Sequence, residues 1–238
     1  MNKRNSTKQA KQYALKRAQA QRNAVSRVSK AIDRLATKAV HEGGISQNDG
    51  LSFIEATILA GYEYAEAAGK YLYDEDNGIT EYIDAVHFGK TFKERVSEQS
   101  GHLIGDIARI LVAAEVLGIS PRIVETECRS PYAVGGAIYR ANLRGAGIQI
   151  PSYGRGVPVS GADQLLRNID NTVGLAWGFE DYDYALRSGA KGFYVYRGSS
   201  YPCDTCQQEC GVFHPIEDAV LSHPPFHGNC VCYAVYVY

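Results

Sequence analysis

Five cysteines and three histidines fall within the 30 residues from Cys203 to Cys232, and this cluster restricts the fold of the 238-residue chain more than any other feature. It reads Cys203-x2-Cys206-x3-Cys210, then 19 residues, then Cys230-x-Cys232, with His214, His223 and His227 in the interval. Only Cys128 lies elsewhere. Six cysteines in a small secreted chain would suggest three disulfides, but nothing indicates secretion: the charged N-terminal segment lacks the apolar stretch of a signal peptide. In a reducing compartment, clustered cysteines with interleaved histidines point to metal. Two cysteines separated by two residues form a turn whose sulfurs reach one ion, and a second pair completes the tetrahedron of a structural zinc. His227-x2-Cys230 has knuckle-like spacing, so the second half uses His227 with Cys230 or Cys232. The candidate ligands are Cys203, Cys206, His227, Cys230 and Cys232. Cys210 and Cys128 read as spectators, and His214 and His223 as supporting or surface residues. The plain alternative is a set of free, buried thiols with ordinary loop histidines.

The second constraint is charge. Residues 1 to 38 hold eleven Lys or Arg against one acid, Asp33, so this arm carries +10 and the remainder -11 of the net -1. A basic arm on an acidic body implies a polyanionic partner. Lys8, Lys11, Lys16, Arg17, Arg22, Arg27, Lys30 and Arg34 are the candidate contacts. A solvated helical face and an organellar transit segment are the competing readings of the same residues. A composition of 45% hydrophobic and 21% charged residues describes a globular chain, and its length admits one large domain or two small ones. The most apolar run, around Ile107 to Ile119, is broken by Arg109 and Glu115, which argues against a membrane span.

Periodicity divides the chain into four segments. Val25, Val28, Ile32, Leu35 and Ala39 follow 3-4-3-4 spacing, so residues 1–44 form a basic amphipathic helical arm that stops at Gly43-Gly44. Residues 45–148 read as a helical body, with helices over 51–72, 80–96 and 103–117. Two shorter helices begin at Ser120-Pro121 and Ser130-Pro131, where each serine caps and each proline opens the first turn. Residues 149–191 are a linker and a further helix over 162–186, weakened by Gly174 and Gly178. Residues 192–238 form the Cys/His domain. Here Gly192–Arg197 and Tyr233–Tyr238 alternate in the manner of strands, and their pairing would carry the cluster between them. The expected class is α+β: a mainly α-helical N-terminal body with a small zinc-stapled β-containing C-terminal domain.

Cys203-Asp204-Thr205-Cys206, Val212-Phe213 and the block His223-Pro224-Pro225-Phe226-His227-Gly228-Asn229-Cys230-Val231-Cys232 together resemble the C-terminal signature of phage minor head proteins. These are the Mu F-like head morphogenesis proteins, whose pattern runs CPxC, a short strand and a PPLHPNCRC-like block. Ile123-Val124-Glu125-Thr126-Glu127-Cys128-Arg129 is similar to that family's A-R-T-E-x-x-R helix. Gly228 and Val231 replace the usual Pro and Arg, and the proline precedes Cys203 rather than following it; no potential ligand is lost. The resemblance is good over residues 193–238, weak over 105–192 and absent from the basic arm. It implies a non-enzymatic virion component inside the capsid near the portal, present in the host cytoplasm during assembly. Its role would be head morphogenesis, DNA packaging or ejection. Its partners would be portal and capsid proteins, with double-stranded DNA or an acidic protein surface against the basic arm, and no membrane.

The principal rival is a zinc-stapled nuclease of the HNH kind acting on DNA, in which His223 or His227 is the general base that activates water and Asn229 orients that histidine. That chemistry needs a following helix for its last ligand, whereas the sequence turns directly into a strand. A zinc module that itself grips nucleic acid would carry Lys or Arg around the metal, and residues 198–238 contain none. No H-E-x-x-H is present, and Gly135-Gly136 and Gly154-x-Gly156 lack the context of a phosphate loop.

Overall fold

The computed structural model describes residues 6–73, 83, 89–129, 152–153, 157–158, 161–198, 202–218, 222–227 and 230–238. The helix expected from Ser130-Pro131 and residues 80–82 and 84–88 of the helix expected over 80–96 lie outside them. The elements run in the order α1 (Thr7–Glu42), α2 (Gln47–Tyr73), α3 (Phe92–Leu117), α4 (Pro121–Arg129), β1 (Ser152–Tyr153), β2 (Val157–Pro158), α5 (Gly161–Arg187), β3 (Gly192–Tyr196), α6 (Asp204–Glu209), β4 (Phe213–Pro215) and β5 (Tyr233–Val237). A single 3-10 turn, Ile216–Asp218, follows β4. The class is α+β, mostly helical with one small antiparallel sheet near the C-terminus.

The chain divides into two compact units that cut across the four consecutive segments read from the sequence. The first comprises residues 1–24, 61–85 and 169–238; the second comprises 25–60 and 86–168. Helices α1, α2 and α5 each supply residues to both.

In the second unit, α1 buries Val28, Ile32, Leu35 and Ala39, four of the five positions of the predicted seam. Helix α3 is a single helix where the periodicity predicts two. Thr91 and Glu94 form a reciprocal cap at its start, and Gly118 closes it in the left-handed conformation at φ 61°. It buries Phe92, Val96, Leu103, Ile107 and Ile110. Pro121 opens α4 as expected, with Ser120 accepting the first-turn hydrogen bond from Val124. The first residue of α5, Gly161, lies so close to α3 that a Cβ would stand 2.3 Å from the Leu103 nitrogen. Its N–H donates to the buried Asp106 carboxylate at 2.9 Å.

In the first unit, the sheet order is β4-β3-β5, antiparallel throughout. Phe193 and Val195 face inward from β3 while Tyr194 and Tyr196 face outward; Ala234 and Tyr236 face inward from β5. The period-two alternation of the two predicted strands thus becomes one buried face and one aromatic outer face. Along that outer face Tyr196 stacks on Tyr233 and Tyr194 packs on Phe213. Beneath the sheet, Phe193, Val195, Ala234 and Tyr236 share one core with Cys206, Cys230, Cys232, Ala185 and Ile216. A second aromatic group joins Tyr13, Tyr71 and Trp177. The Tyr13 hydroxyl donates to the Trp177 carbonyl at 2.6 Å, and the Trp177 indole donates to the Tyr64 carbonyl at 2.9 Å.

Candidate metal centre

The strand β3 delivers the chain to Cys203, which caps α6 in extended conformation at φ -150°. Cys206 then occupies the third position of that helix, so the two-residue spacing becomes one helical turn with both thiols on the same side. The other half is a turn and a short irregular segment. The Cys230 N–H donates to the His227 carbonyl at 3.2 Å, and Cys230-Val231-Cys232 then leads into β5. The strand begins only at Tyr233, and the Cys230 and Cys232 sulfurs nonetheless lie within 4.8 Å of each other.

The two halves meet. The ligating atoms of Cys203, Cys206 and His227 all lie within 4.8 Å of one another, as do those of Cys206, Cys230 and Cys232. Cys206 belongs to both groups. Its sulfur is 3.3 Å from His227 Nε2 and 4.0 Å from the Cys230 sulfur. A tetrahedral ion held by thiolates at about 2.3 Å has sulfur–sulfur edges of about 3.8 Å, and its sulfur–nitrogen edges are slightly shorter. These spacings fit such an ion, and the cluster can hold one. All six cysteines are free thiols. The five residues named from the sequence as candidate ligands thus form two triads that share Cys206.

The protons of the cluster are shared unequally. Hydrogen bonding from the Cys232 thiol, the backbone of Phe226 and Cys232 and the Arg17 charge pull Cys230 down to about 5. Cys232 moves the other way, raised first by that same hydrogen bond to Cys230 and then by burial. Burial and the hydrogen bond to Cys203 push Cys206 up to about 12. The Cys206 backbone and thiol hold Cys203 below the ordinary thiol range. The pattern is one of thiolates stabilised by neighbouring thiol protons, and a divalent cation binds by displacing those protons.

The remaining predicted residues fall into place individually. Cys210 belongs to neither group, although its thiol reaches Cys232. Cys128 is buried in α4, where burial and Glu127 push its thiol up to about 12, the opposite of what a nucleophile needs. His214 stacks on Phe193 and approaches Glu209. His223 is buried within the sheet's core, its Nε2 2.7 Å from the Tyr236 hydroxyl and 3.6 Å from Asp181 Oδ2. It packs edge-on against Phe193.

Of the cations assigned to a polyanion, Lys8, Lys11, Lys16 and Arg22 in the first unit and Arg27, Lys30 and Arg34 in the second are exposed on α1. Arg17 is the exception and a correction. It is 1% exposed, and its Nη2 donates at 2.8 Å to both the Cys230 and the Cys232 carbonyls. It sits at an inward position of the helix between Tyr13 and Gln21, so it contacts the metal loop in place of solvent.

Sequence reasoning missed the glycines that admit these approaches. A Cβ on Gly198 would stand 1.9 Å from the Val231 carbonyl oxygen, so β3 can lead out alongside the ligand loop only without a side chain. On α5 a Cβ at Gly178 would meet Pro225 Cδ at 2.5 Å, and one at Gly174 would meet Gln21 Nε2 at 2.6 Å. The signal was present: two glycines four residues apart lie on one face of a helix, and that face accepts a close neighbour.

No protein-family model, curated protein or solved structure matches the chain. What the site can do is therefore argued from its own residues. Among the described residues, no helix is long and apolar enough to cross a membrane.

Proposed function

We propose that the centre holds a structural zinc ion and that the protein is a minor head protein of a tailed phage, acting in head morphogenesis, DNA packaging or ejection. The observation that carries this reading is the pair of ligand triads, Cys203, Cys206 and His227 with Cys206, Cys230 and Cys232, that meet at Cys206. These are the residues through which the C-terminal block resembles the Mu F-like family. Zinc is favoured by the donor set, since sulfur-rich tetrahedral sites without an open position are structural zinc sites. Cys206, Cys230 and Cys232 are buried, which agrees with a closed site. The ion would contribute folding free energy to a small sheet with little core of its own.

In this reading the protein lies inside the capsid near the portal vertex, with portal and capsid proteins as partners. The exposed cations of α1 face packaged double-stranded DNA. Among the described residues, Lys8, Lys11, Lys16, Lys30 and Arg34 have no carboxylate partner, which leaves them available to phosphate.

The decisive assay mixes the purified chain with plasmid and titrates salt, with magnesium or zinc present. A shifted plasmid that stays uncut, with binding that weakens as salt rises, supports the reading. Cleavage that disappears in His223→Ala or His227→Ala makes the protein a nuclease and rejects it. Absence of the chain from purified virions rejects the head assignment, and absence of zinc from the purified protein rejects the staple.

A further inference from the structure

The basic helix does more than carry surface charge: one of its cations is built into the metal centre. Arg17 is 1% exposed, and among the described residues no carboxylate pairs with it. Its Nη2 bridges the carbonyls of Cys230 and Cys232, and its buried Nε has no hydrogen-bond partner. A single nitrogen 2.8 Å from both oxygens leaves them no more than twice that distance, 5.6 Å, apart, closer than the ~6.4–6.8 Å between alternate carbonyls of a strand, so the segment curls around the guanidinium. Gripping them fixes the segment in the curled form in which the Cys230 and Cys232 thiols lie within 4.8 Å of each other and of Cys206. Carbonyl dipoles satisfy the donors but leave a full positive charge in an interior where unpaired charges are strongly disfavoured.

Among the described residues, the group that feels the Arg17 charge is the thiol cluster, through Cys230. A divalent ion with two thiolates and neutral nitrogen donors is uncharged and leaves Arg17 unbalanced. Three thiolates give the centre a charge of -1, which Arg17 cancels; four give -2, which it halves. We infer that Arg17 is the fixed counter-cation and positioning residue of the metal centre, which takes at least three thiolates, Cys206, Cys230 and Cys232 among them, and a fourth ligand from Cys203 or His227. The first turns of α1 are then part of the metal-binding unit, and holding metal and holding this helix are one equilibrium. The inference rests on the metal reading above and is independent of the head assignment.

The test compares the full-length wild type with Arg17→Gln and Arg17→Lys. Zinc affinity is measured by competition with a chromophoric chelator, and thiolate number by the charge-transfer band of the cobalt-loaded protein. The wild type is expected to take up one metal and show three or four thiolates. Arg17→Gln should keep its helical circular dichroism and lose about 10- to 100-fold in affinity, the usual effect of removing a residue that supports a metal ligand. Arg17→Lys, which keeps the charge, should recover part of that loss. A folded Arg17→Gln with wild-type affinity, or a cobalt spectrum reporting two thiolates, overturns the inference. Hydrogen exchange on the unaltered chain decides the matter if Arg17→Gln does not fold. Chelation should expose the amides of residues 7–24, and unchanged protection there overturns the coupling. A wild type that binds no metal at all removes the metal reading itself and is recognised separately, because it is seen before any substitution.

Discussion

At the scale of single residues, the first unit contains charges in unusual places, and each makes a measurable demand. Glu180 on α5 is 3% exposed, and one carboxylate oxygen has no hydrogen-bond partner. Burial, with Asp183 adding to it, raises its carboxyl to about 7. A carboxyl raised in the folded state has the linkage opposite to that of a salt-bridged acid. Folding incurs no penalty from it below the ordinary carboxylate range, and the penalty grows as pH climbs from there to about 7, then levels off. The full cost is about 3 kcal/mol at neutral pH and above, taking 1.36 kcal/mol per unit. Glu180→Gln should therefore stabilise the protein at pH 8 by up to about 3 kcal/mol and do little at pH 4. Urea unfolding across that range checks it, and an unchanged pH profile would refute the assignment. Gly198 supplies a steric counterpart. Gly198→Ala should cost about 1–3 kcal/mol or more and weaken metal retention, because the added methyl meets the Val231 carbonyl. Gly101→Ala on α3, with open space around it, is expected to be neutral or slightly stabilising. Equal melting shifts in the two variants would count against the packing argument.

At the scale of elements, most of what periodicity could reveal was legible. The buried seam of α1, the proline start of α4, the span of α5 and the β3–β5 pair all follow from local patterns of apolar residues, caps and alternation. So do the five candidate ligands, because ligand spacing is a local property of turns and strands. What was not legible is which elements share a core. The first turns of α1 looked like a free arm because Lys and Arg dominate them. Yet Ala10, Tyr13, Ala14, Arg17, Ala18, Ala20, Gln21 and Ala24 are buried, and a stripe made mostly of alanine gives no strong hydrophobic signal. A buried arginine is invisible to any charge count. The prediction at this scale concerns the cysteines. Cys203→Ser or Cys232→Ser should loosen residues 7–24 and 169–187 together with the sheet, while residues 86–129 stay protected. Hydrogen exchange resolved by peptide checks this, and loosening confined to residues 192–238 would show that the helices stand without the metal.

At the scale of the whole molecule, electrostatics and connectivity set the expectations. If α1 binds DNA through its exposed cations, log affinity should fall with log salt at a slope of about -0.9 per phosphate neutralised. Lys11→Ala, Lys16→Ala and Arg22→Ala combined should then reduce that slope by roughly 3, and Arg17→Gln should leave it nearly unchanged. Filter binding across a salt series measures both, and a slope insensitive to the triple variant would place the contact elsewhere. The 213 positions separating Arg17 from Cys230 also govern the order in which the chain can mature. Closing so long a loop is slow compared with forming helices. During synthesis the stretch 25–168 leaves the ribosome before the cysteines that residues 7–24 need as neighbours have been made. Nascent chains would therefore hold their leading helix without its counterpart, and a ribosome stalled before Cys230 should yield a product that is prone to aggregation and, on the proposed metal reading, retains no metal.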